Sequence, residues 1–365
     1  MLSERDLQEL AEYGGRAPVV SFYVDTDLAH HPKDAAKLMF KQRAKALQGG
    51  GASPDVAAGV SAIERYLDFE YDWQSRGVAV FTSGDGLWKT VSLPVAVTTQ
   101  GYVGDRPYVR VLTDLLDRFA EYAVALVDRE SVRLFSVAWG RIQSQSEALG
   151  EELKRHKQGG WAAARYQRHE DNLALHNLKQ AVDLIDAFCR RQRCQRLMLA
   201  GNATVLAQVK ELMPSALRDK VIGEFPADME ASPNEVLQRS LEVATEAQRT
   251  EEAQLVAEAI TTASKGGPGA TGIDDTLFAL RERRVRALLV AEDLQASGYQ
   301  CTHCGYLTST EVARCPFCSG EAIAAVPDVV NRAIQQALRA GVDINIVRQN
   351  AALQQVGGMA ALLRY

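Results

Sequence analysis

A chain of 365 residues is too long for one small core and points to two or three domains. Hydrophobic residues at 47% and charged residues at 24% are those of an ordinary soluble globular protein. The net charge of −5 excludes wholesale nucleic-acid binding, so any such contact needs a local basic patch. The opening MLSERDLQEL is charged and has no apolar signal core, and no run approaches the roughly 18 apolar residues of a membrane span. A cytoplasmic protein without a membrane partner is expected.

In chain order, PVVSFYVDTD (18–27) reads as a buried strand and is followed by a helix over about 33–48. The turn-rich GGGASPD (49–55) leads into a second helix from Val56 to about Tyr71, which makes a helical hairpin. GVAVFTS (77–83) and GLWKTVSLP (86–94) return to strand character. Lys33, Lys37, Lys41 and Lys45 recur every four residues on the first helix, and Asp34 is the one acid opposing them there. A solvated helix face and a stripe that tracks phosphates both fit this spacing.

A second block opens near Phe119. YAVALVDRE (122–130) and VRLFSVAWG (132–140) form a strand hairpin, and a long helix is expected from about Glu170 to Arg193. RLMLAG (196–201) is a short buried strand, Thr204 to Met213 a helix, and Asn234 to about Ala263 an acid-leaning helix. Strands alternating with helices indicate an α/β layer. SKGGPGATG (264–272) reads as a linker by composition. Beyond it come a helix in DDTLFALRERR, a strand in VRALLVAED (285–293), a helix over 328–340, a strand in DINIV (343–347) and the closing GGMAALLRY.

The cysteines give the most specific signal. Cys301 with Cys304 and Cys315 with Cys318 are two CxxC pairs, with residues 305–314 between them. Two such knuckles supply a thiolate tetrahedron for Zn2+, closed to catalysis because no coordination position stays open. Two disulfides are the alternative, disfavoured in a reducing compartment. His303 is a bystander, and Cys189 and Cys194 read as buried thiols. Other chemistry is sparse: the sequence has no phosphate-binding Walker loop, no GxSxG, no HExxH and no GxGxxG between a strand and a helix. His30 and His31, beside Pro32, read as surface histidines.

One stretch stands apart. In KQGGWAAARYQRH (157–169) two glycines lead into Trp161 and then Arg165 and Arg168, with no acid between Leu153 and His169. A solvated flexible loop is the plain account of it. However, Gly159-Gly160, Ala163, Arg165 and Arg168 resemble the GGQSAxRxxR signature of the archaeal and eukaryotic peptide-chain release factors and their Pelota-type relatives. DDTLFALRERRVRALLVAEDL, LMLAG and GGMAALLRY are similar to further segments of that superfamily, in the same order. The resemblance covers about residues 119–365 well and the first domain mainly through SFYV and the hairpin.

The resemblance implies an α/β protein of three domains. These are an N-terminal α/β domain with the helical hairpin (1–118), a middle α/β domain bearing the GGW loop (119–269) and a C-terminal α/β sandwich (270–365) with a zinc ribbon at about 299–322. In the family these domains reach the decoding site, the peptidyl-transferase centre and a translational GTPase, here such as EF-Tu. Partners would thus be ribosomal RNA and a P-site tRNA, with Gly159, Gly160, Trp161, Arg165, Arg168 and the lysine stripe as RNA contacts.

Two departures bear on activity. Trp161 stands where the family has the glutamine that helps place water, and an indole offers a donor but no acceptor. The hairpin tip, GGGASPD, lacks the family's NIKS-like tetrapeptide. The first expectation is therefore a non-catalytic factor in the ribosomal A site, comparable to Balon-type hibernation factors. The alternatives are a peptidyl-tRNA hydrolase or tRNA-cleaving rescue enzyme, and a module for RNA or protein used away from the ribosome. Whether any enzymatic activity remains is left open.

Overall fold

Residues 2–49, 53–149 and 163–365 are described by the computed structural model, with side chains in the long helix from Asn172 onward. The chain is mixed α/β and divides into two units, Met1–Arg118 with Glu252–Tyr365, and Phe119–Glu251.

The first unit begins with α1 (Glu4–Glu12), where Ser3 and Asp6 form a reciprocal cap. β1 (Val19–Asp25) is buried on both faces, as its largely apolar run predicts, with Ser21 enclosed among the apolar residues. α2 (Lys33–Gln48) and α3 (Pro54–Phe69) form the expected hairpin. Ser53 caps α3 and Pro54 takes its first position, where a missing N–H leaves nothing unpaired. β2 (Gly77–Ser83), β3 (Trp88–Leu93) and β4 (Gln100–Gly104) complete an antiparallel sheet in the order β3-β2-β1-β4. Phe22 and Val80 of the sheet meet Phe40 and Ile63 of the hairpin in one core. α4 (Arg110–Arg118) follows.

The second unit is built on β5 (Tyr122–Val127), β6 (Ser131–Ala138) and β7 (Arg141–Leu149), an antiparallel meander. α5 (Ala163–Gln192) crosses over to β8 (Leu197–Gly201), which lies parallel to β5. This helix starts well before the expected Glu170, so Arg165 and Arg168 belong to its first turns; the alanine run there favours helix. α6 (Ala203–Leu212), α7 (Ser215–Arg218), β9 (Val221–Phe225) and α8 (Pro233–Ser264) complete it. The sheet order is β7-β6-β5-β8-β9. Alternate residues of β5 enter two cores: Ala123, Ala125 and Val127 meet α5, whereas Tyr122, Val124 and Leu126 meet α8. A strand buried on both faces explains its continuous apolar sequence.

From Glu252 onward α8 belongs to the first unit, where Val256 and Ala259 pack on its second sheet. That sheet comprises β10 (Gly269–Thr271), β11 (Val285–Ala291), β15 (Asp343–Val347) and β16 (Met359–Leu363) in the order β10-β16-β11-β15. α9 (Ile273–Arg281), α10 (Val329–Arg339) and α11 (Ala351–Gln355) flank it. Between β11 and α10, β12 (Gly298–Cys301), β13 (Leu307–Thr308) and β14 (Ile323–Val326) form a separate small sheet.

The glycine-rich 264–272 is not wholly a linker, because β10 within it pairs antiparallel with β16. Its glycine content has a packing reason: a Cβ on Gly269 would stand 2.7 Å from the Ala259 carbonyl oxygen.

Candidate functional site

The two cysteine pairs come together in the small sheet. Each pair is bent by the same device. Gly305 and Ser319, the residues just after the second cysteines, have φ of 78° and 57°. Their amides donate back to the carbonyls of Cys301 and Cys315, both at 2.8 Å. The knuckles so formed bring Cys301 Sγ to 3.6 Å from Cys318 Sγ and Cys304 Sγ to 3.5 Å from Cys315 Sγ. All four sulfurs lie within 4.8 Å of one another.

These separations are not those of disulfides. A disulfide needs sulfurs about 2.05 Å apart, and all four thiols are free. Tetrahedral zinc, with Zn–S near about 2.3 Å, places sulfurs about 3.8 Å apart, within the range seen. The thiols are not alike: the amides of Cys304 and His303 donate toward Cys301 and hold its thiol down to about 6, whereas burial and the neighbouring sulfurs push Cys304 up to about 12. The donor set is complete, so a bound ion would meet no substrate there.

The small sheet is tied to the larger one by Asp274 of α9. Its carboxylate accepts from the Ser309 amide at 2.6 Å, the Ser309 hydroxyl at 2.7 Å and the Thr308 hydroxyl at 3.0 Å. Phe317 lies 5.0 Å from both Phe278 and Tyr306, closing the underside of the second knuckle.

Gly159, Gly160 and Trp161 fall between β7 and α5, outside the described residues, as do the side chains of Arg165 and Arg168. The frame on either side is defined: β7 is the edge strand of the second unit's sheet, and Leu178, Val182 and Ile185 seat α5 on it.

The lysines of α2 are less free than their helix alone suggests. Lys37 pairs with Asp68 at 2.8 Å and Lys41 with Glu64 at 3.0 Å, both acids from α3. Lys33 and Lys37 also stand 5.8 Å from the Trp73 ring. Asp34 is thus not the only acid opposing the stripe; an antiparallel partner helix supplies two more. Lys33 and Lys45 are exposed and, among the described residues, make no ion pair. His30 and His31 lie near Asp25, at 3.6 and 3.7 Å, while Cys189 and Cys194 are buried as expected.

A further site was not legible in the sequence. Pro107, Val109 and Arg110, ahead of and within α4, dock on α10 and on the end of β11. Asn331 Oδ1 accepts from the amides of Val109 at 3.1 Å and Arg110 at 3.3 Å, while its Nδ2 donates to the Pro107 carbonyl at 3.3 Å. The hint, visible afterwards, is that α10 places Asn331, Arg332 and Gln335 on its buried side.

Residues 107–245 match the family described as bacterial archaeo-eukaryotic release factor family 10. The chain is 20% identical to peptide chain release factor subunit 1 of Archaeoglobus fulgidus, over 99% of this chain and 96% of the relative. Among solved structures, Archaeoglobus fulgidus Pelota is 13% identical with a TM-score of 0.34, covering 100% of this chain and 92% of that one. A ribosome-bound archaeal Pelota, seen together with ABCE1, is 11% identical with a TM-score of 0.42, covering 100% and 94%. Among the described residues no helix is long and apolar enough to cross a membrane.

Proposed function

We propose, from its matches to a bacterial release-factor family and to an archaeal release factor, that the chain is a member of the bacterial branch of the release-factor and Pelota superfamily and a translation factor that occupies the ribosomal A site without hydrolysing peptidyl-tRNA. The observation that carries the proposal is Trp161 directly behind Gly159-Gly160 and ahead of Arg165 and Arg168, at the position where the motif this stretch resembles has its glutamine. Water attack on the ester requires a group that both accepts from and donates to water, and indole only donates. Its flat face suits stacking on an unpaired base instead, while the arginines suit phosphate.

In this scheme the middle unit carries the loop toward the tRNA end, and the α2–α3 hairpin reaches ribosomal RNA through Lys33 and Lys45. Cys301, Cys304, Cys315 and Cys318 would hold one structural zinc, whose role is to fix the two knuckles. A GTPase such as EF-Tu would deliver the factor through the C-terminal part. Hibernation or the capture of stalled ribosomes are the fitting states, because both offer an A site and require no release.

Two measurements test this. The protein should co-sediment with ribosomes from stationary-phase lysates. On ribosomes with labelled peptidyl-tRNA in the P site and an empty A site, it should release no peptide. Multiple-turnover release would replace the proposal with a rescue hydrolase, and absence from every ribosomal fraction would leave a module used elsewhere.

A further inference from the structure

A cavity of about 700 Å³ opens in the first unit between the β4–α4 turn, the end of α9, the first cysteine knuckle and α10. Arg106, Arg281, Arg283, Arg332, Arg339 and Arg364 line it, against a single acid, Asp105. On a chain whose net charge is −5 this is a concentration of the opposite sign. Among the described residues only Arg332 has a carboxylate partner, and that partner, Asp105, is 64% exposed.

The deepest of these groups keeps one donor unmet. Arg332 is 6% exposed, and its enclosed Nε has no hydrogen-bond partner. Burial lowers its guanidinium to about 10, and the charges of Arg106 and Arg339 push the same way against the opposing pull of Asp105. Arg339 is lowered by burial and by Arg106 as well. Backbone carbonyls hold both neighbours in place: Arg339 Nε donates to Ala11 at 2.6 Å, and Arg106 donates to Tyr13. A carbonyl orients a guanidinium without neutralising it, so the excess charge stays fixed in the cavity. A buried guanidinium with an unmet donor, crowded by two like charges nearer the surface, is costly unless an anion completes it.

We propose that this cavity binds a small ligand carrying a chain of two or more phosphates, seated on Arg332 and Arg339 and closed in by Arg281 and Arg283 at the rim. Guanidinium forks match phosphate oxygens in pairs, and several of them call for several adjacent charges. The volume lies in the usual range for small-molecule sites, about 300–1,000 Å³. Among the described residues no aromatic ring lines the wall, so it offers none of the stacking platforms on which a single nucleic-acid strand is held. The phosphate chain itself is therefore what the cavity reads, whether it is inorganic or borne by a nucleotide. This site is separate from the ribosomal reading, and its test needs the purified protein alone.

Titration calorimetry on the full chain at about 100 mM salt would use tripolyphosphate, ATP, GTP, AMP and a short RNA oligonucleotide. Tripolyphosphate or the triphosphates should saturate one site, with AMP at least about tenfold weaker. Equal binding by tripolyphosphate and ATP assigns recognition to the phosphate chain; tighter ATP or GTP assigns it to a nucleotide, and both uphold the site. The variant R281E/R283E changes two exposed residues, so its Tm should hold while affinity falls about tenfold or more. The proposal is overturned by any of four results: no saturable binding of any polyphosphate, AMP binding as tightly, affinity unchanged in that variant, or tighter binding by RNA than by tripolyphosphate.

Discussion

The guanidinium of Arg110 donates to the Ala291 carbonyl at 2.8 Å, and so closes the open end of β11 from another part of the chain. It donates also to the carbonyls of Glu292 at 2.5 Å and Leu294, and the residue is only 6% exposed. Three carbonyls thus depend on one buried side chain. Arg110→Ala should destabilise the first unit by about 2–4 kcal/mol, since the buried Ala291 carbonyl loses its partner and two part-buried carbonyls lose a charged donor. Urea unfolding followed by a probe in that unit would read this; a loss under about 0.5 kcal/mol would mean that water replaces the guanidinium.

Asp117 of α4 accepts from the Ile346 amide at 3.2 Å, joining the same helix to β15. Burial raises its carboxyl to about 7; the Ile346 amide and Arg348 oppose the rise, whereas Glu252 and Asp114 add to it. The folded protein therefore holds a proton that the unfolded chain has released at pH 5–6. Stability should fall as pH rises from about 4 toward about 7 and then level off. Asp117→Asn, which keeps an acceptor for Ile346, should remove this slope and raise Tm more at pH 8 than at pH 5. The gain is bounded at about 4 kcal/mol, the full cost of a shift of that size. An equal change at both pH values would count against a protonated Asp117.

Removal of metal should act on the small sheet first. With zinc bound at Cys301, Cys304, Cys315 and Cys318, a chelator strong enough to extract it, or Cys304→Ser, should expose Tyr306 and Ile323, which pack against the cysteines. The two larger sheets have their own cores and should remain folded. Elemental analysis should give one zinc per wild-type chain, and hydrogen exchange should localise the loss to about 298–326. Protein that carries no zinc when purified without chelator, with its thiols intact, would count against the metal.

What could be read ahead of the structure follows from where the partners of each residue lie. β2 and α2 match their expected spans because an apolar run or a helical period is a local signal. The cysteine knuckles were legible for the same reason: within each pair, the ligands are three residues apart. The pairing of Lys37 with Asp68 was not, since nothing along α2 announces which helix will lie beside it. Arg332 reads in sequence as one more solvated residue of an amphipathic helix, yet it is buried because α10 is covered on both sides. Arg110 was hidden likewise, as its acceptors lie about 180 residues away in sequence.

The lysine pairs refine which residues should reach RNA. Lys33→Glu with Lys45→Glu should weaken ribosome co-sedimentation about tenfold and flatten its salt dependence, because both are exposed and, among the described residues, lack acidic partners. Tm should change by no more than about 2 °C. Lys37→Glu with Lys41→Glu should instead lower Tm, since each new carboxylate would face Asp68 or Glu64 across the hairpin. If the first variant binds ribosomes as the wild type does at every salt concentration, the hairpin does not lie against RNA.

Trp161 divides the proposed function from its nearest rival. If the indole blocks the tRNA-end pocket by stacking, Trp161→Ala should reduce occupancy of ribosomes with an empty A site by about tenfold, the loss of one aromatic stack. It should create no hydrolysis, because alanine supplies neither a donor nor an acceptor for water. Trp161→Gln restores an amide at the one position where the family motif has it, behind glycines that permit its close approach. Gain of measurable peptide release by this variant alone would tie the missing activity to that side chain. Lack of release by Trp161→Gln, with binding intact, would mean that groups around the amide have changed as well. Release by the wild type at a rate equal to or above that of Trp161→Gln would remove the non-catalytic reading.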